Sequence, residues 1–306
     1  MNYEDLLKEI VLSDERFVVM TAENRSAIRD IPAHLGERFI DVGIAEQAMV
    51  GIAAGLALRG RIPVVHALAA FLSMRAFEFI RTDVCIAGLP VKLVGAFPGF
   101  LSEANGPTHQ AVEDIALMRS IPGMNIFCPS DEEDMLTGLK AFLKSPHPSY
   151  IRFNNLEPLI RHDKFHTGRA EVISGGRDIT ILTYGTLFRE ACRAKILLSG
   201  QGRSVGLINL RTLKPIDEET IVNAAMHTSL MVTVEDHLLA GGLFSIVGEL
   251  FLKHNVGCRV LPFGLDERWF KPAFLQDVLE YEGLTGEKIA DKIMEESEKY
   301  AEHVEV

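Results

Sequence analysis

The sequence predicts an α/β fold with two three-layer domains and mainly parallel sheets. Two observations carry this prediction. Short apolar runs typical of buried strands alternate along the chain with longer stretches of helical spacing, and this alternation is typical of parallel sheets covered by helices on both faces. The length of 306 residues is also sufficient for about two domains.

The first half of the chain contains the elements of one such domain. A short apolar run at 39–43 is predicted to be a strand that ends in a glycine turn. Further strands are expected at 17–20, 62–66, 91–96, 125–128 and 149–153. Helices are expected near 45–58, 70–87, 111–119 and 131–143. We therefore predict a first domain over residues 1–160.

The second half repeats the scheme after a linker. Residues 154–177 contain Pro158 and the pair Gly175-Gly176 but no clear apolar period, which is typical of a loop. Strands are then expected at 179–183, 204–210, 230–235 and 259–263. Helices are expected near 187–199, 217–226, 241–254 and 286–301. These elements predict a second, smaller α/β domain over residues 175–306.

Glu46 is a single carboxylate near the start of an otherwise small and apolar helix. An ionised carboxylate in a packed interior is costly unless it is paired or hydrogen-bonded, so we expect Glu46 to have a partner. The alternative is a helix-start carboxylate that the helix dipole favours and water partly covers. Gly51 and Gly55 leave the same helix a smooth flank on which another backbone can pack closely.

Residues 101–110 are predicted to form a loop that presents His109. They have no regular apolar period, and Gly106 and Pro107 stand side by side. The loop follows an apolar strand at its carboxyl end, which is where open α/β sheets bind ligands. An active site is therefore expected here, although a lone loop histidine is more often an ordinary surface residue.

Together, these segments resemble the transketolases, a family of thiamine-diphosphate enzymes. The residues that carry the resemblance are Gly43-Ile44-Ala45-Glu46-Gln47, Ala70-Phe71-Leu72, Gly106-Pro107-Thr108-His109-Gln110, the segments 113–119 and 150–153, Val234-Glu235-Asp236-His237 and Gly241-Gly242. These motifs follow the family's order and spacing over nearly the whole chain. The resemblance implies a pyrimidine-binding domain followed by the family's carboxy-terminal domain.

The resemblance implies a role for each of four residues at a thiamine diphosphate site. Glu46 is expected to hydrogen-bond a ring nitrogen of the aminopyrimidine and so to favour the tautomer that takes the proton from the thiazolium carbon. Phe71 is expected to stack on the pyrimidine, and Ile44 to contact the cofactor. His109 is expected to serve the substrate oxygens and proton transfers.

Three further residues are implied at the substrate. Arg152 and Ser26 correspond to residues that bind the substrate's phosphate, although a structural ion pair is a serious alternative for Arg152. Asn105 replaces the family's aspartate, and Phe97 or Pro98 replaces a histidine that meets sugar phosphate. These departures indicate a specialised ketose or acceptor. His237 is expected to be structural.

The resemblance also implies a partner chain. Transketolases bind the diphosphate and its metal through a Gly-Asp-Gly motif on an amino-terminal domain, and this sequence contains no such motif. Thiamine diphosphate and Mg²⁺ (or Ca²⁺) are therefore expected to be held mainly by a separate amino-terminal subunit, with no metal ligand from this chain. An α2β2 assembly that self-associates through the pyrimidine domain is expected.

Composition limits the remaining function classes. The net charge of −11 argues against a nucleic-acid surface, which needs a basic patch. The longest apolar stretch, residues 48–58, is too short to span a membrane. The cysteines are too scattered for a disulfide framework, and residues 1–5 lack the features of a signal peptide. A cytoplasmic location is therefore expected.

The predicted function is that of the carboxy-terminal subunit of a split transketolase. Such an enzyme transfers a two-carbon ketol unit from a ketose, or ketose phosphate, to an aldehyde acceptor. One alternative is another thiamine-diphosphate reaction on the same fold, that of deoxyxylulose-phosphate synthase or of the β chain of a 2-oxoacid dehydrogenase. The other is a non-catalytic subunit that stabilises or regulates a partner.

Overall fold

The computed structural model describes residues 1–269 and 271–304, in which two sheets are formed. The strands are β1 (Phe17–Thr21), β2 (Phe39–Asp41), β3 (Ile62–Leu68), β4 (Lys92–Ala96), β5 (Asn125–Phe127), β6 (Ser149–Arg152), β7 (Glu171–Ser174), β8 (Ile179–Thr183), β9 (Val205–Asn209), β10 (Thr212–Lys214), β11 (Leu230–Leu238) and β12 (Arg259–Leu265).

The helices cover both faces of these sheets. They are α1 (Tyr3–Ser13), α2 (Ile31–Leu35), α3 (Glu46–Leu58), α4 (Phe77–Phe79), α5 (Asp114–Ser120), α6 (Glu132–Lys144), α7 (Phe188–Gly200), α8 (Glu218–His227), α9 (Leu243–His254), α10 (Leu275–Glu282) and α11 (Gly286–Val304). Two π-helical segments, Phe71–Arg75 and Ile80–Cys85, flank α4. Among the described residues, no helix is long and apolar enough to cross a bilayer.

The first sheet has the order β10-β5-β6-β4-β3-β1-β2, and the second has the order β12-β11-β8-β9-β7. Pairing is parallel except at two edges, where β10 runs antiparallel to β5 and β7 antiparallel to β9. The inner strands β1, β4, β8 and β9 are buried at every residue, which explains their nearly continuous apolar runs. The predicted fold class is confirmed.

The predicted linker is wrong in part. Within 154–177, residues Glu171–Ser174 form β7 and pair with β9, so the second sheet begins before residue 175. Elements α1, α2, α10 and β10 are also present and were not predicted from the sequence. Strand β10 comes from the second half of the chain but completes the first sheet, and the largest apolar core is shared by both halves.

His66 on β3 is a buried polar group in the first domain. Its Nε2 lies 2.8 Å from the Tyr3 hydroxyl of α1. Burial lowers the pKa of His66 from 6.5 to about 4. The unfolded chain therefore takes up a proton at a higher pH than the folded chain, and acid favours the unfolded state in this range.

We expect His66 to make the fold acid-sensitive between pH 6.5 and about 4. Across this range, the wild type should lose about 3 kcal/mol of unfolding free energy relative to His66→Gln. Urea unfolding followed by circular dichroism at a series of pH values measures the difference. His34→Gln, at an exposed histidine, should behave like the wild type. Parallel pH curves for wild type and His66→Gln would contradict this prediction.

Candidate active site

A pocket of about 400 Å³ lies at the carboxyl ends of the first sheet's strands. Its lining comes from the segments that follow four strands: Ala22–Ser26 after β1, Ile44 and Glu46 after β2, Leu68 and Phe71 at the end of β3 and beyond, and Phe97 after β4. Parallel strands end at the same sheet edge, which is why residues distant in sequence meet here. Three residues named from the sequence for cofactor binding, Ile44, Glu46 and Phe71, line this pocket.

Glu46 begins α3 and is buried, with 2% of its surface exposed, so it is not the partly solvated helix-start carboxylate of the alternative. Its Oε2 accepts a hydrogen bond from Nη1 of Arg75 at 3.0 Å. The expectation of a buried, paired carboxylate is confirmed. Ile44, by contrast, is 74% exposed and presents an apolar surface at the same pocket.

Phe71 and Arg75 lie at the two ends of a π-helical segment. The backbone N–H of Ala76 donates to the carbonyl of Phe71 at 3.3 Å, which is the wide hydrogen bond of this turn. The Arg75 guanidinium carbon lies 4.2 Å from the centroid of the Phe71 ring, within the range of a cation–π contact. Arg75 thus contacts both Glu46 and Phe71.

The His109 loop contains a 3₁₀ segment, Glu103–Thr108, that is interrupted at Gly106. Gly106 has φ +70° and packs against Pro272 of the second domain. A larger residue there would have an unfavourable backbone conformation and would also collide with Pro272. The His109 ring is half-buried and its centroid lies 5.1 Å from that of Phe71. The structure therefore brings Glu46, Phe71 and His109 together, with Phe71 in contact with the loop.

Ser26 and Asn105 have different surroundings. Ser26 lines the pocket, where its hydroxyl donates to Oδ1 of Asn24 at 3.1 Å. Asn105 is exposed and its Nδ2 donates to the carbonyl of Ser102 at 2.9 Å, a bond within its own loop. Asn105 is not among the residues that line the pocket.

The expectation that Arg152 binds a substrate phosphate is wrong. Arg152 is only 1% exposed, and its Nε and Nη2 donate to Asp114 at 2.9 and 3.1 Å. Its Nη1 donates to Asp236 of the second domain at 2.6 Å. Burial works against the cation, but the two carboxylates together hold the pKa of Arg152 well above its ordinary value. Arg152 is thus the centre of a buried ion-pair network between the domains.

The same network includes the end of β11 in the second domain. His237, expected to be structural, is buried and its Nε2 accepts from the backbone N–H of Ala116 at 3.2 Å. Gly99 has φ +58°, and any side chain there would collide with the carboxylate of Asp236. The domain contact therefore fixes the backbone on both sides of the His109 loop.

Two arginines at the site were not named from the sequence. Arg75 follows Phe71 by four residues, a spacing that places two side chains near each other on a helical turn. Arg25 lines the pocket, and its Nε donates to Oδ2 of Asp41 at 2.9 Å. Arg25 directly precedes Ser26, so the same segment contained the sequence signal for a cation at the site.

The residues that line the pocket suit one part of a thiamine cofactor. A buried carboxylate, a flat aromatic ring and an apolar side chain share one pocket and suit an aminopyrimidine ring. Among the described residues, no group of three or more His, Cys, Asp or Glu side chains is arranged to hold a metal ion. The residues present therefore fit the pyrimidine part of the cofactor.

The fold and this pocket define a ligand-binding α/β protein of two domains. Residues 1–157 match the family described as transketolase, pyrimidine binding domain, and residues 168–289 match transketolase, C-terminal domain. The chain belongs to the transketolase family. The resemblance inferred from its motifs is confirmed.

Curated relatives of similar length include two transketolase parts. The chain is 36% identical over 303 residues to the 6-deoxy-6-sulfo-D-fructose transketolase subunit SqwH of Clostridium sp. (strain MSTE9), covering 97% of this chain and 94% of that protein. It is 34% identical over 304 residues to a transketolase C-terminal section of Methanocaldococcus jannaschii, with 97% and 95% covered. A 1-deoxy-D-xylulose-5-phosphate synthase of Dictyoglomus turgidum is 36% identical over 263 residues, but only 42% of that protein is covered.

Solved structures agree with this assignment. A split gene transketolase, an inactive beta4 tetramer, superposes with a TM-score of 0.85 at 33% identity, and 96% of each chain is covered. A transketolase from Campylobacter jejuni superposes with a TM-score of 0.76 at 17% identity, over 96% of this chain and 46% of that one. The second comparison supports the fold alone.

We expect Arg152→Met to destabilise the chain strongly, because it leaves the carboxylates of Asp114 and Asp236 buried without their cation. The expected loss is about 3–5 kcal/mol of unfolding free energy. Denaturant unfolding followed by circular dichroism measures it.

The matched control is Lys253→Met, which breaks an exposed ion pair with Glu218. This variant should lose less than about 1 kcal/mol. Equal stabilities for the two variants would show that the Arg152 network is dispensable to the fold.

Proposed function

We propose that this chain is the carboxy-terminal subunit of a two-chain transketolase-like enzyme that transfers a two-carbon ketol unit from a ketose to an aldehyde. The observation that carries the proposal is the pocket in which Glu46 and Phe71 stand together, with His109 against Phe71. Relatives of the same length that are themselves transketolase subunits or sections support it. Thiamine diphosphate, when bound, would supply the electron sink of the reaction.

In this proposal, Glu46 activates the cofactor. Its carboxylate lines the pocket, and the one hydrogen bond that the described residues make to it is at Oε2. Oε1 therefore remains for a ring nitrogen of the pyrimidine. A carboxylate held in a buried position favours one protonation state of its partner, which is how Glu46 would move a proton on the ring.

Phe71 and Ile44 supply apolar surface for the ring, and His109 supplies proton exchange. Stacking on Phe71 requires only a flat face held rigidly, and the π-helical segment holds Phe71 in place. An imidazole exchanges protons near neutral pH, and His109 is accessible enough to meet a substrate oxygen. His109 is the second catalytic residue of the proposal.

We propose that the substrate is a ketose with an anionic end. Arg152 does not line the pocket, but Arg25 does, and it contributes a positive charge beside the hydroxyl of Ser26. The Nδ2 of Asn24 is buried and has no hydrogen-bond partner among the described residues, so it offers a further donor. Asn105 would meet a substrate hydroxyl only if its loop adjusted. The sulfonated sugar named for the Clostridium relative is an anion of this kind.

We propose that a separate amino-terminal subunit holds the diphosphate and Mg²⁺ or Ca²⁺, in a cytoplasmic α2β2 assembly. The matched domains are the pyrimidine-binding and carboxy-terminal ones, so the proposal assigns the diphosphate and the metal to another chain. Helix α3 also exposes Ile52, Gly55 and Leu58, and nothing among the described residues lies within 4 Å of a Cβ added at Gly55. This open apolar flank supports self-association through the first domain.

A second candidate reaction is that of deoxyxylulose-phosphate synthase, in which pyruvate is the donor. A relative named 1-deoxy-D-xylulose-5-phosphate synthase is 36% identical to the chain over 84% of its length, and this similarity supports the candidate. Assays of the assembled pair with pyruvate and with ketoses as donors distinguish the two reactions.

We expect Glu46→Gln to reduce turnover by the assembled pair at least about 100-fold, because the carboxylate loses its charge while its shape is kept. Proton exchange at the thiazolium carbon, followed by NMR, should fall in parallel. Glu9→Gln, at an exposed position on α1, is the control and should leave both rates unchanged. Near-normal exchange in Glu46→Gln would remove Glu46 from its proposed role.

We expect this chain to bind thiamine diphosphate weakly by itself and to catalyse ketol transfer only with its partner. Titration of the amino-terminal subunit into this chain, with Mg²⁺ and thiamine diphosphate present, tests this expectation. Molecular mass and ketol transfer should rise together and level off at equal numbers of the two chains. Full activity of this chain alone would contradict the two-chain proposal.

A further inference from the structure

Arg75 contacts the two residues that the proposed function assigns to the pyrimidine. Its Nη1 lies 3.0 Å from Oε2 of Glu46, and its guanidinium carbon lies 4.2 Å from the centroid of Phe71. The Arg75 side chain is 43% exposed, whereas that of Glu46 is 2% exposed. One half-exposed cation therefore balances a buried carboxylate.

The local backbone explains why Arg75 reaches both groups. The π-helical turn Phe71–Arg75 is wider than an α-helical turn and brings the side chains at its two ends into contact. The side chain of Gln47 donates through Nε2 to the carbonyl of Arg75 at 3.2 Å. This bond ties the π-helical turn to the first turn of α3, where Glu46 lies.

Arg75 approaches its partners from outside the pocket. Glu46 and Phe71 line the pocket, but Arg75 does not. The pocket therefore borders Glu46 and Phe71 but not Arg75. A ligand in the pocket would meet Glu46 and Phe71 and would not replace Arg75.

We propose that Arg75 is a positioning residue: it holds the carboxylate of Glu46 through Oε2 and packs over the ring of Phe71, so that Oε1 and the ring are set for the pyrimidine. This inference rests on the proposed function. A residue that does not line the pocket thus fixes the charge and orientation of the activating carboxylate.

Removal of Arg75 has a defined electrostatic consequence. Without Arg75, the carboxylate of Glu46 would be buried with no cation beside it, which is costly. The other charged or titratable groups around the pocket are Glu23 and Arg25 on the loop after β1, with Arg25 held by Asp41, and His109 against the Phe71 ring. Among the described residues, the cation that pairs with Glu46 is Arg75.

Two variants separate the charge of Arg75 from its shape. Arg75→Met removes the charge and keeps an unbranched chain. Arg75→Lys keeps the charge but loses the planar group that lies over Phe71. Arg81→Met, at an exposed arginine of the following π-helical segment, is the matched control. Thermal unfolding establishes that each variant is folded.

The first experiment uses this chain alone and needs no cofactor. Glutamate carboxyl carbons are labelled with ¹³C, the Glu46 signal is identified by its loss in Glu46→Gln, and its chemical shift is measured by NMR at one fixed pH. In Arg75→Met the signal should move away from its wild-type position, because the hydrogen bond at Oε2 is lost, and in Arg75→Lys it should stay near that position. An unchanged signal in Arg75→Met would overturn the proposed contact.

The second experiment measures thiamine diphosphate affinity of the assembled pair by calorimetry with Mg²⁺ present. Arg75→Met should weaken binding about tenfold, and Arg75→Lys about threefold, because only the contact with Phe71 is weakened. Equal affinities for wild type and Arg75→Met would overturn the positioning role. Absence of binding by the wild-type pair would instead overturn the proposed function, and the cofactor role of Arg75 with it.

Discussion

The buried ion pairs of Arg152 determine how the two domains and the His109 loop are arranged. Arg152 joins Asp114, just beyond the His109 loop, to Asp236 on β11 of the second domain. Its Nη2 also donates to the carbonyl of Ala111 at 3.3 Å, and Gly99 packs on the Asp236 carboxylate. Since breaking such a pair leaves charges buried without partners, the loop that carries His109 is anchored on both sides.

The cost of burying an unpaired charge also applies at the pocket, where the ion pair of Glu46 and Arg75 is less enclosed. Glu46 is as deeply buried as Asp114, but its cation, Arg75, is partly exposed and holds only one carboxylate oxygen. Arg152 is 1% exposed and makes four hydrogen bonds within the protein, so it is closed to a ligand. Access to the polar atoms therefore distinguishes a structural ion pair from one beside a candidate binding site.

The sequence predicted the elements whose signals are local. Buried parallel strands such as β8 appear as apolar runs, and Glu46 is conspicuous because it is a lone charge on an apolar helix. Strand β10 has three residues and gains its stability from pairing with a strand of the other domain, so no local pattern marks it. The role of Arg152 depended on Asp114 and Asp236, which lie 38 and 84 residues away along the chain. The helix α1 was detectable, since Asn2 and Asp5 form a capping box before an apolar face.

We propose that this chain supplies the pyrimidine side of a shared cofactor site, and an experimental structure of the assembled pair with thiamine diphosphate and Mg²⁺ tests this proposal. We expect the aminopyrimidine ring to lie in the pocket, within hydrogen-bond distance of Glu46 and against Phe71, while the partner subunit binds the diphosphate and the metal. A cofactor bound away from Glu46, or held by its diphosphate on this chain, would overturn the proposal.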